Sequence, residues 1–425
     1  MTITNRVRRL LVLTVAFVAG VVAVSSVAGA TPGRQGHRQW FTSWAQSQQW
    51  LSAAVLDHQS VRMITHLSQG GHALRIRLQN TFGTSPLSVD ATTVAPSGGG
   101  PALTGPANAV TFHGRAAVVV PAGGDVWSDP VRLATRPQDD VAVSMYLAGR
   151  TTPGEHGSAF RNNYLTPTGS GDHTTDGDGA AYTATTGATY LVSAVDVANP
   201  DLDGTVVAFG SSVVDGTGST DCGPGCTELG TNRRWTDDLA RRVTTELPAG
   251  RQVAIANAGI GGTTSSAACP SIPGQFTGLD ALARLDRDVL ALHGVTAVLY
   301  YYGTNDLADA CDARQILDSY RQVFARLRGA GVRVYVTPIT PRPGYSDQNN
   351  LDRHAVGTFV ENGNDCAGTC DGTVDFDRVL EDPLRPNSIL PAYDVGDGIH
   401  VNIEAQQALA DYVPLRMITN GPADR

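Results

Sequence analysis

The sequence predicts two regions of different fold class, an antiparallel β-sandwich followed by a three-layer α/β domain. Three observations predict this arrangement. The 425 residues exceed what one hydrophobic core usually supports. Residues 40–197 show apolar and polar residues in alternation, as in strands with one buried face. After Gly204, short continuous apolar runs alternate with helical patterns, which is typical of a doubly wound parallel sheet.

The first region, residues 40–200, contains strand patterns and no convincing amphipathic helix. Alternating apolar residues at 74–78 predict a strand, and we expect residues 61–66 to pair with it across the Gly-rich turn 68–71. Further strands are predicted at residues 116–120, 141–147 and 190–197, with a long loop over 151–189. Strands without helices predict the β-sandwich.

The second region, residues 203–425, follows a candidate boundary at Pro200–Gly204. Its apolar runs predict buried parallel strands at residues 205–209, 253–256, 295–302 and 332–338. Helical patterns lie at residues 234–247, 278–290, 313–330 and 404–416. In such a sheet, functional residues collect just past the carboxyl ends of the strands.

Residues 1–30 have the pattern of a signal peptide, and residues 31–39 are interpreted as a linker. Basic residues precede the apolar run Leu10–Val27, and Ala28-Gly29-Ala30 is a small-residue cleavage site. The apolar run is also long enough for an uncleaved membrane anchor. We favour cleavage after Ala30, which predicts a secreted, extracellular protein with no stable membrane insertion.

Six cysteines fit an exported protein with disulfides. Six cysteines allow fifteen connectivities. We hypothesise the pairs Cys222–Cys226, Cys269–Cys311 and Cys366–Cys370, because the first and last would close short Gly-containing loops. A metal site is the alternative that C-x3-C spacing allows, but oxidation on export and the lack of a nearby histidine cluster disfavour it. No H-E-x-x-H motif and no glycine-rich phosphate loop occur in the sequence, so no cofactor is expected.

Charge excludes one class of partner and one class of mechanism. The net charge of −9 argues against a nucleic-acid partner, whose phosphates select basic surfaces. All 31 basic residues are arginine, so mechanisms that need a lysine, such as Schiff-base or Ser-Lys catalysis, are excluded.

Four polar segments follow predicted strands or precede the last helix. They are Gly210-Ser211-Ser212-Val213-Val214-Asp215-Gly216, Asn257-Ala258-Gly259-Ile260-Gly261-Gly262-Thr263-Thr264, Gly303-Thr304-Asn305-Asp306 and Asp397-Gly398-Ile399-His400. Acyl transfer from a serine needs an activated hydroxyl, a base that takes its proton, and donors that face the oxyanion. D-x-x-H spacing lets one turn supply both the base and the carboxylate that orients it.

These segments, in this order, resemble the conserved blocks of the GDSL/SGNH hydrolase superfamily. The resemblance implies a flavodoxin-like three-layer domain, Ser212 as nucleophile, His400 as general base and Asp397 as its orienting carboxylate. It also implies an oxyanion hole from the Ser212 N–H, the Gly262 N–H and the Asn305 side chain. The β-rich first region followed by this domain is similar to secreted actinobacterial GDSL-type esterases.

One position departs from the family pattern. The aspartate that precedes the family's nucleophile is Ser211 here, so the motif reads G-S-S. This carboxylate is not a member of the triad, so catalysis need not be lost, but the local hydrogen bonding must differ. Asp215-Gly216 lies where the family's SxTDG segment places it, which favours Ser212 over Ser211 as nucleophile.

Each segment has an alternative interpretation when it is taken alone. Ser211 and Ser212 could cap a helix, the glycines could form a tight loop, and His400 is one of ten histidines. Four segments in family order favour a serine esterase that hydrolyses lipid, short acyl or carbohydrate acetyl esters. The alternative is a secreted glycan-binding or adhesion protein with an inactive SGNH domain.

Overall fold

The computed structural model describes residues 40–269 and 279–419. The expected signal peptide and linker, residues 1–39, lie outside these residues. Arg38–Arg425 group into one compact unit, and the domain boundary near residue 200 stays a prediction. Among the described residues, no helix is both long and apolar enough to cross a membrane.

The β-rich region covers residues 40–198 and contains strands without a helix among its described residues. The strands are β1 Trp40–Ala45, β2 Trp50–Leu51, β3 Gln59–His66, β4 Ala73–Gln79, β5 Leu87–Val89, β6 Ala91–Pro96, β7 Asn108–Ala109, β8 Val118–Val120, β9 Asp125–Trp127, β10 Asp140–Leu147, β11 Gly154–His156, β12 Asn163–Leu165, β13 Ala184–Thr186, β14 Thr189–Tyr190 and β15 Val192–Ala198. The predicted loop over 151–189 therefore contains short strands.

Two antiparallel sheets of this region pack face to face, as the sequence predicts. One has the strand order β1-β15-β4-β9 and the other β13-β12-β3-β10-β6-β7. Ile76 and Val195 of the first sheet share one buried apolar core with Met63 and Val143 of the second. Burial of one face of each sheet explains the period-two pattern.

The predicted hairpin between residues 61–66 and 74–78 is wrong. β3 pairs with β10 and β12, whereas β4 pairs with β15 and β9 in the opposite sheet. The connection between β3 and β4 crosses from one sheet to the other instead of forming a tight turn. Ser68 in this connection is buried, and its hydroxyl donates to the backbone oxygen of Ser43 in β1, a strand of the sheet that contains β4, at 2.7 Å. A Gly-rich connection fits a hairpin as well as a crossing between sheets, so the local sequence does not distinguish the two topologies.

The α/β region begins with the next strand. Its strands are β16 Gly204–Gly210, β17 Val253–Gly259, β18 Val295–Tyr301, β19 Arg333–Val336, β20 Gly372–Thr373, β21 Glu381–Asp382 and β22 Arg385–Ile389. Its α-helices are α1 Ser212–Asp215, α2 Trp235–Glu246, α3 Ala281–Leu285, α4 Thr304–Ala308, α5 Ala313–Gly329, α6 Asp347–Glu361, α7 Phe376–Leu380, α8 Ile403–Tyr412 and α9 Leu415–Ile418, with a π-helix at Asp286–Leu290 and a 3₁₀ turn at Asn362–Asn364.

A parallel five-stranded sheet forms the middle layer, in the order β17-β16-β18-β19-β20. This is the flavodoxin-like order 2-1-3-4-5. Val207 and Phe209 of β16 face a core that includes residues of α5, whereas Val206 and Ala208 face a core that includes residues of α2 and α8. Burial on both faces explains why the parallel strands read as continuous apolar runs.

Three of the differences between the predicted and the observed helices have a physical explanation. The pattern over 278–290 forms α3 and then a π-helix, with residue 278 outside the described residues. The last predicted helix is interrupted at Pro414, which lacks an N–H and separates α8 from α9. α6 was not predicted, because few of its residues are apolar and only Arg353, Val356 and Val360 are buried.

Three disulfides join the cysteines of the α/β region. They are Cys222–Cys226, Cys269–Cys311 and Cys366–Cys370, the pairs hypothesised from the sequence. The second pair ties the loop after β17 to the end of α4. Every cysteine is therefore oxidised, and both C-x3-C segments close disulfide loops.

Candidate active site

The candidate nucleophile lies where β16 ends and the chain turns sharply into a helix. Ser211 occupies the N-cap position and Ser212 is the first residue of α1, which is only one turn long. Gly259, at the end of β17, packs directly against this turn, since a Cβ there would lie 2.1 Å from Asp215 N. A side chain at position 259 would therefore displace the helix that carries Ser212.

Ser212, His400 and Asp397 form a hydrogen-bonded chain. Ser212 Oγ lies 2.8 Å from His400 Nε2, and His400 Nδ1 lies 2.6 Å from Asp397 Oδ2. The carboxylate accepts from Nδ1–H, so Nε2 is free to accept the serine proton. His400 is 17% exposed and Asp397 45% exposed at the side chain, so solvent reaches this candidate triad.

Backbone contacts hold the Asp397 carboxylate beside His400. Its Oδ1 accepts from Ile399 N and His400 N, each at 2.8 Å. Burial disfavours the carboxylate, but hydrogen bonds from the backbone and the imidazole of His400 outweigh it and lower the pKa of Asp397. The carboxylate is therefore the state that faces the imidazole at neutral pH.

The three candidate oxyanion donors come from segments that pack on one another. A Cβ built on Gly261 would lie 3.8 Å from Ser212 Cβ, so residues 260–266, which we call the glycine loop, adjoin the candidate nucleophile. Gly262 has φ +77°, a conformation that favours glycine. Asn305 Nδ2 donates to Thr263 O at 2.9 Å, which ties the Asn305 side chain to the same loop and leaves its second amide hydrogen available.

Ser211 occupies the position where the family pattern has aspartate. It is 1% exposed, and its Oγ has no hydrogen-bond partner among the described residues. Although it lies at the N-cap, its side chain makes no capping bond. Of the two adjacent serines, only Ser212 contacts the imidazole of His400.

Arg284 holds the strand ends together beneath the site, a role that the sequence analysis missed. Its guanidinium donates to Gly210 O at 2.7 Å and to Ala258 O at 2.8 Å, at the carboxyl ends of β16 and β17. It also pairs with Asp288 at 2.9 Å, and both side chains are fully buried. In the sequence, the i,i+4 spacing of Arg284 and Asp288 was the feature that could have predicted their ion pair.

Asp306 fixes the far end of the glycine loop. Its fully buried carboxyl group accepts from Ser265 N at 2.9 Å and from Ser266 N at 2.8 Å. Burial raises the pKa of Asp306 from 3.8 to about 6, although the two backbone hydrogen bonds favour the charged form. Folding thus favours the protonated carboxyl group.

We expect Asp306 to make stability depend on pH. Because its pKa is higher in the folded than in the unfolded state, the stability it contributes is fully present below about pH 4 and is lost as the pH rises through about 6. Between pH 4 and 7, the free energy of unfolding of the wild type should fall relative to Asp306→Asn by roughly 2 kcal/mol. Urea unfolding at both pH values measures this change, and a difference between the two proteins that is independent of pH would contradict it.

One protein-family model matches this part of the chain. Residues 208–408 match the GDSL-like Lipase/Acylhydrolase family. The match begins within β16 and ends within α8, so it includes the four segments that build the candidate site. No curated protein matches the chain.

Several solved structures resemble the chain at low identity. A carbohydrate acetylesterase from Sinorhizobium meliloti is 17% identical over 48% of this chain and 94% of its own, with a TM-score of 0.36. A GDSL-like lipase from Bacteroides thetaiotaomicron is 16% identical over 51% and 88%, with a TM-score of 0.35. A family two carbohydrate esterase from Clostridium thermocellum is 11% identical over 86% and 96%, with a TM-score of 0.38. Likenesses this low do not bear on the substrate of this chain.

Proposed function

We propose that this chain, whose residues 208–408 match the GDSL-like Lipase/Acylhydrolase family, is a serine esterase that forms an acyl-enzyme on Ser212. The observation that carries the proposal is the chain of hydrogen bonds from Ser212 through His400 to Asp397. A serine hydroxyl beside a neutral imidazole that a carboxylate orients is the arrangement that acyl transfer requires.

The reaction follows from these contacts. Ser212 Oγ attacks the ester carbonyl carbon while His400 Nε2 takes its proton, and Asp397 stabilises the resulting imidazolium. The proton then passes to the leaving alkoxide as the ester bond breaks. Water attacks the acyl-enzyme by the same route, with His400 again acting as base, and releases the carboxylic acid.

The Ser212 N–H, the Gly262 N–H and the Asn305 amide are the proposed oxyanion donors. Neither backbone N–H makes a hydrogen bond within the described part of the chain, so both are available to a substrate oxygen. α1 is one turn long, so individual N–H groups, instead of the dipole of a long helix, would stabilise the oxyanion.

Asn305→Ala should lower kcat about 10²- to 10³-fold because it removes one oxyanion donor. Asn349→Ala is the matched control, since Asn349 Nδ2 also donates to a backbone carbonyl, Leu307 O of α4, at 3.0 Å. Steady-state kinetics of both variants measure the effect. Equal losses of kcat in the two variants would show that Asn305 acts only by holding α4 and the glycine loop in place.

The substrate is proposed as a carboxylic ester of a lipid, a short acyl chain or an acetylated polysaccharide. Hydrolysis of p-nitrophenyl acetate, butyrate and palmitate and release of acetate from acetylated xylan would test the esterase and its chain-length preference together. Activity on any of these esters that is lost in Ser212→Ala supports the proposal. Absence of hydrolysis by a folded wild type would instead favour the binding or adhesion function.

Secretion is part of the proposal. Three disulfides within one chain support an oxidising compartment, and residues 1–30 have the composition of a signal peptide. The N-terminal sequence of the protein recovered from culture medium would test cleavage after Ala30.

A glycan-binding or adhesion protein would need none of the contacts among Ser212, His400 and Asp397, which is why the enzyme is preferred.

A further inference from the structure

A histidine of the β-rich region reaches the helix that carries the nucleophile. His156, the last residue of β11, is 1% exposed, and its Nε2 lies 2.9 Å from Asp215 Oδ1. Asp215 is the last residue of α1, the single turn that begins at Ser212. The histidine therefore contacts the nucleophile's own helix from outside the α/β region.

Both ring nitrogens of His156 act as donors. Nδ1 lies 2.7 Å from Ser47 O, and a carbonyl oxygen only accepts, so Nδ1 carries a proton. Nε2 faces the carboxylate of Asp215, and that contact uses the second proton. Burial disfavours the imidazolium, but the Asp215 carboxylate raises the pKa of His156 above its ordinary value. The contact is thus a buried ion pair.

Asp215 also adjoins the glycine loop and one further cation. A Cβ built on Gly261 would lie 3.9 Å from Asp215 Oδ2 and 3.8 Å from Ser212 Cβ. Arg234 packs against Gly216, and its charge is matched by Asp237 at 2.8 Å. Because Arg234 already has its own carboxylate, His156 is the cation that directly balances Asp215.

We propose that His156 is a positioning residue of the catalytic centre, which acts through Asp215 to set the orientation of α1. This inference rests on the proposed function and extends it, because the β-rich region then completes the active site. Loss of His156 would remove the contact that holds the last residue of α1 and leave the buried Asp215 carboxylate without its cation. Misplacement of reacting groups by about 1 Å can cost 10²-fold in rate.

Four variants test the pair. His156→Gln removes the cation, Asp215→Asn removes the anion with little change in shape, and the double variant replaces the ion pair by a neutral amide pair. His66→Gln is the control, because His66 also bonds an aspartate, Asp140 at 2.7 Å, and contacts Asn232 of the α/β region at 3.0 Å. His66 lies away from α1 in sequence and bonds none of its residues.

Two rates are measured for each variant: kcat for p-nitrophenyl acetate and the rate at which a fluorophosphonate modifies Ser212. His156→Gln should lose about 10²-fold in both at nearly unchanged KM. The double variant should recover at least tenfold of that loss, and His66→Gln should stay within twofold of the wild type. Wild-type rates in His156→Gln, or a loss no larger than that of the control, would overturn the proposal.

Two further outcomes are decisive. If His156→Gln does not fold, Asp215→Asn decides, since a lower phosphonylation rate supports the pair and a wild-type rate overturns it. If the wild type hydrolyses no ester tested but is phosphonylated, the phosphonylation rates alone decide the role of His156. Absence of both reactions in the folded wild type overturns the proposed function and this inference with it.

Discussion

Ser212→Ala is expected to lower kcat for ester hydrolysis about 10⁶-fold, because removal of the nucleophile disables the catalytic unit as a whole. Ser212 Oγ is the serine oxygen that contacts His400 Nε2, at 2.8 Å. KM should change little, since most of the substrate contacts remain. Steady-state kinetics on p-nitrophenyl acetate, with the fold verified by circular dichroism, measures the loss.

The adjacent serine supplies the matched control. Ser211→Ala removes a buried hydroxyl that has no hydrogen-bond partner among the described residues, so kcat should stay within tenfold of the wild type. Loss of activity in Ser211→Ala with activity retained in Ser212→Ala would contradict the assignment of the nucleophile. Full activity in both would contradict the serine mechanism.

Asp397→Asn should lower kcat about 10⁴-fold, the cost of presenting the wrong imidazole tautomer. An asparagine amide would donate to His400 Nδ1, so the ring proton would move to Nε2, which could then no longer accept the proton of Ser212. The asparagine oxygen would still accept from Ile399 N and His400 N, so the turn itself should persist. The loss should therefore appear in kcat with unchanged thermal stability.

Asp394→Asn is the control for that variant. Asp394 belongs to the same loop, and its Oδ1 accepts from Gly396 N and Gly398 N at 2.8 Å, but it does not bond the imidazole of His400. Its kcat should remain within tenfold of the wild type. Equal losses in Asp394→Asn and Asp397→Asn would indicate that the loop, and not the tautomer, limits the reaction.

The α/β region is the part of the fold that the sequence predicts well. Its parallel strands are buried on both faces, so each appears as a continuous apolar run, and polar segments at their ends mark the edge where Ser212 and Asn305 lie. Asp397 and His400 are three residues apart, so one local motif contains the contact between them. Local patterns therefore suffice where the interacting residues are close in sequence.

Long-range pairings are what the sequence does not reveal. β3 and β4 are neighbours in the chain, yet they lie in opposite sheets, since the connection between them crosses the sandwich. His156 lies 59 residues from Asp215, and no spacing rule links them. Ser211 shows a third limit, since the family pattern predicts a carboxylate at a position where this chain has a buried hydroxyl with no hydrogen-bond partner in residues 40–269 and 279–419.

Peptide mapping after reaction with a fluorophosphonate tests the central claim most directly, because it reports which hydroxyl is activated without any choice of ester. We predict one phosphonyl group per chain, located on Ser212, with no modification in Ser212→Ala or after unfolding. Modification of Ser211 or of another serine in the folded wild type, or no modification at all, would contradict an esterase built on Ser212, His400 and Asp397.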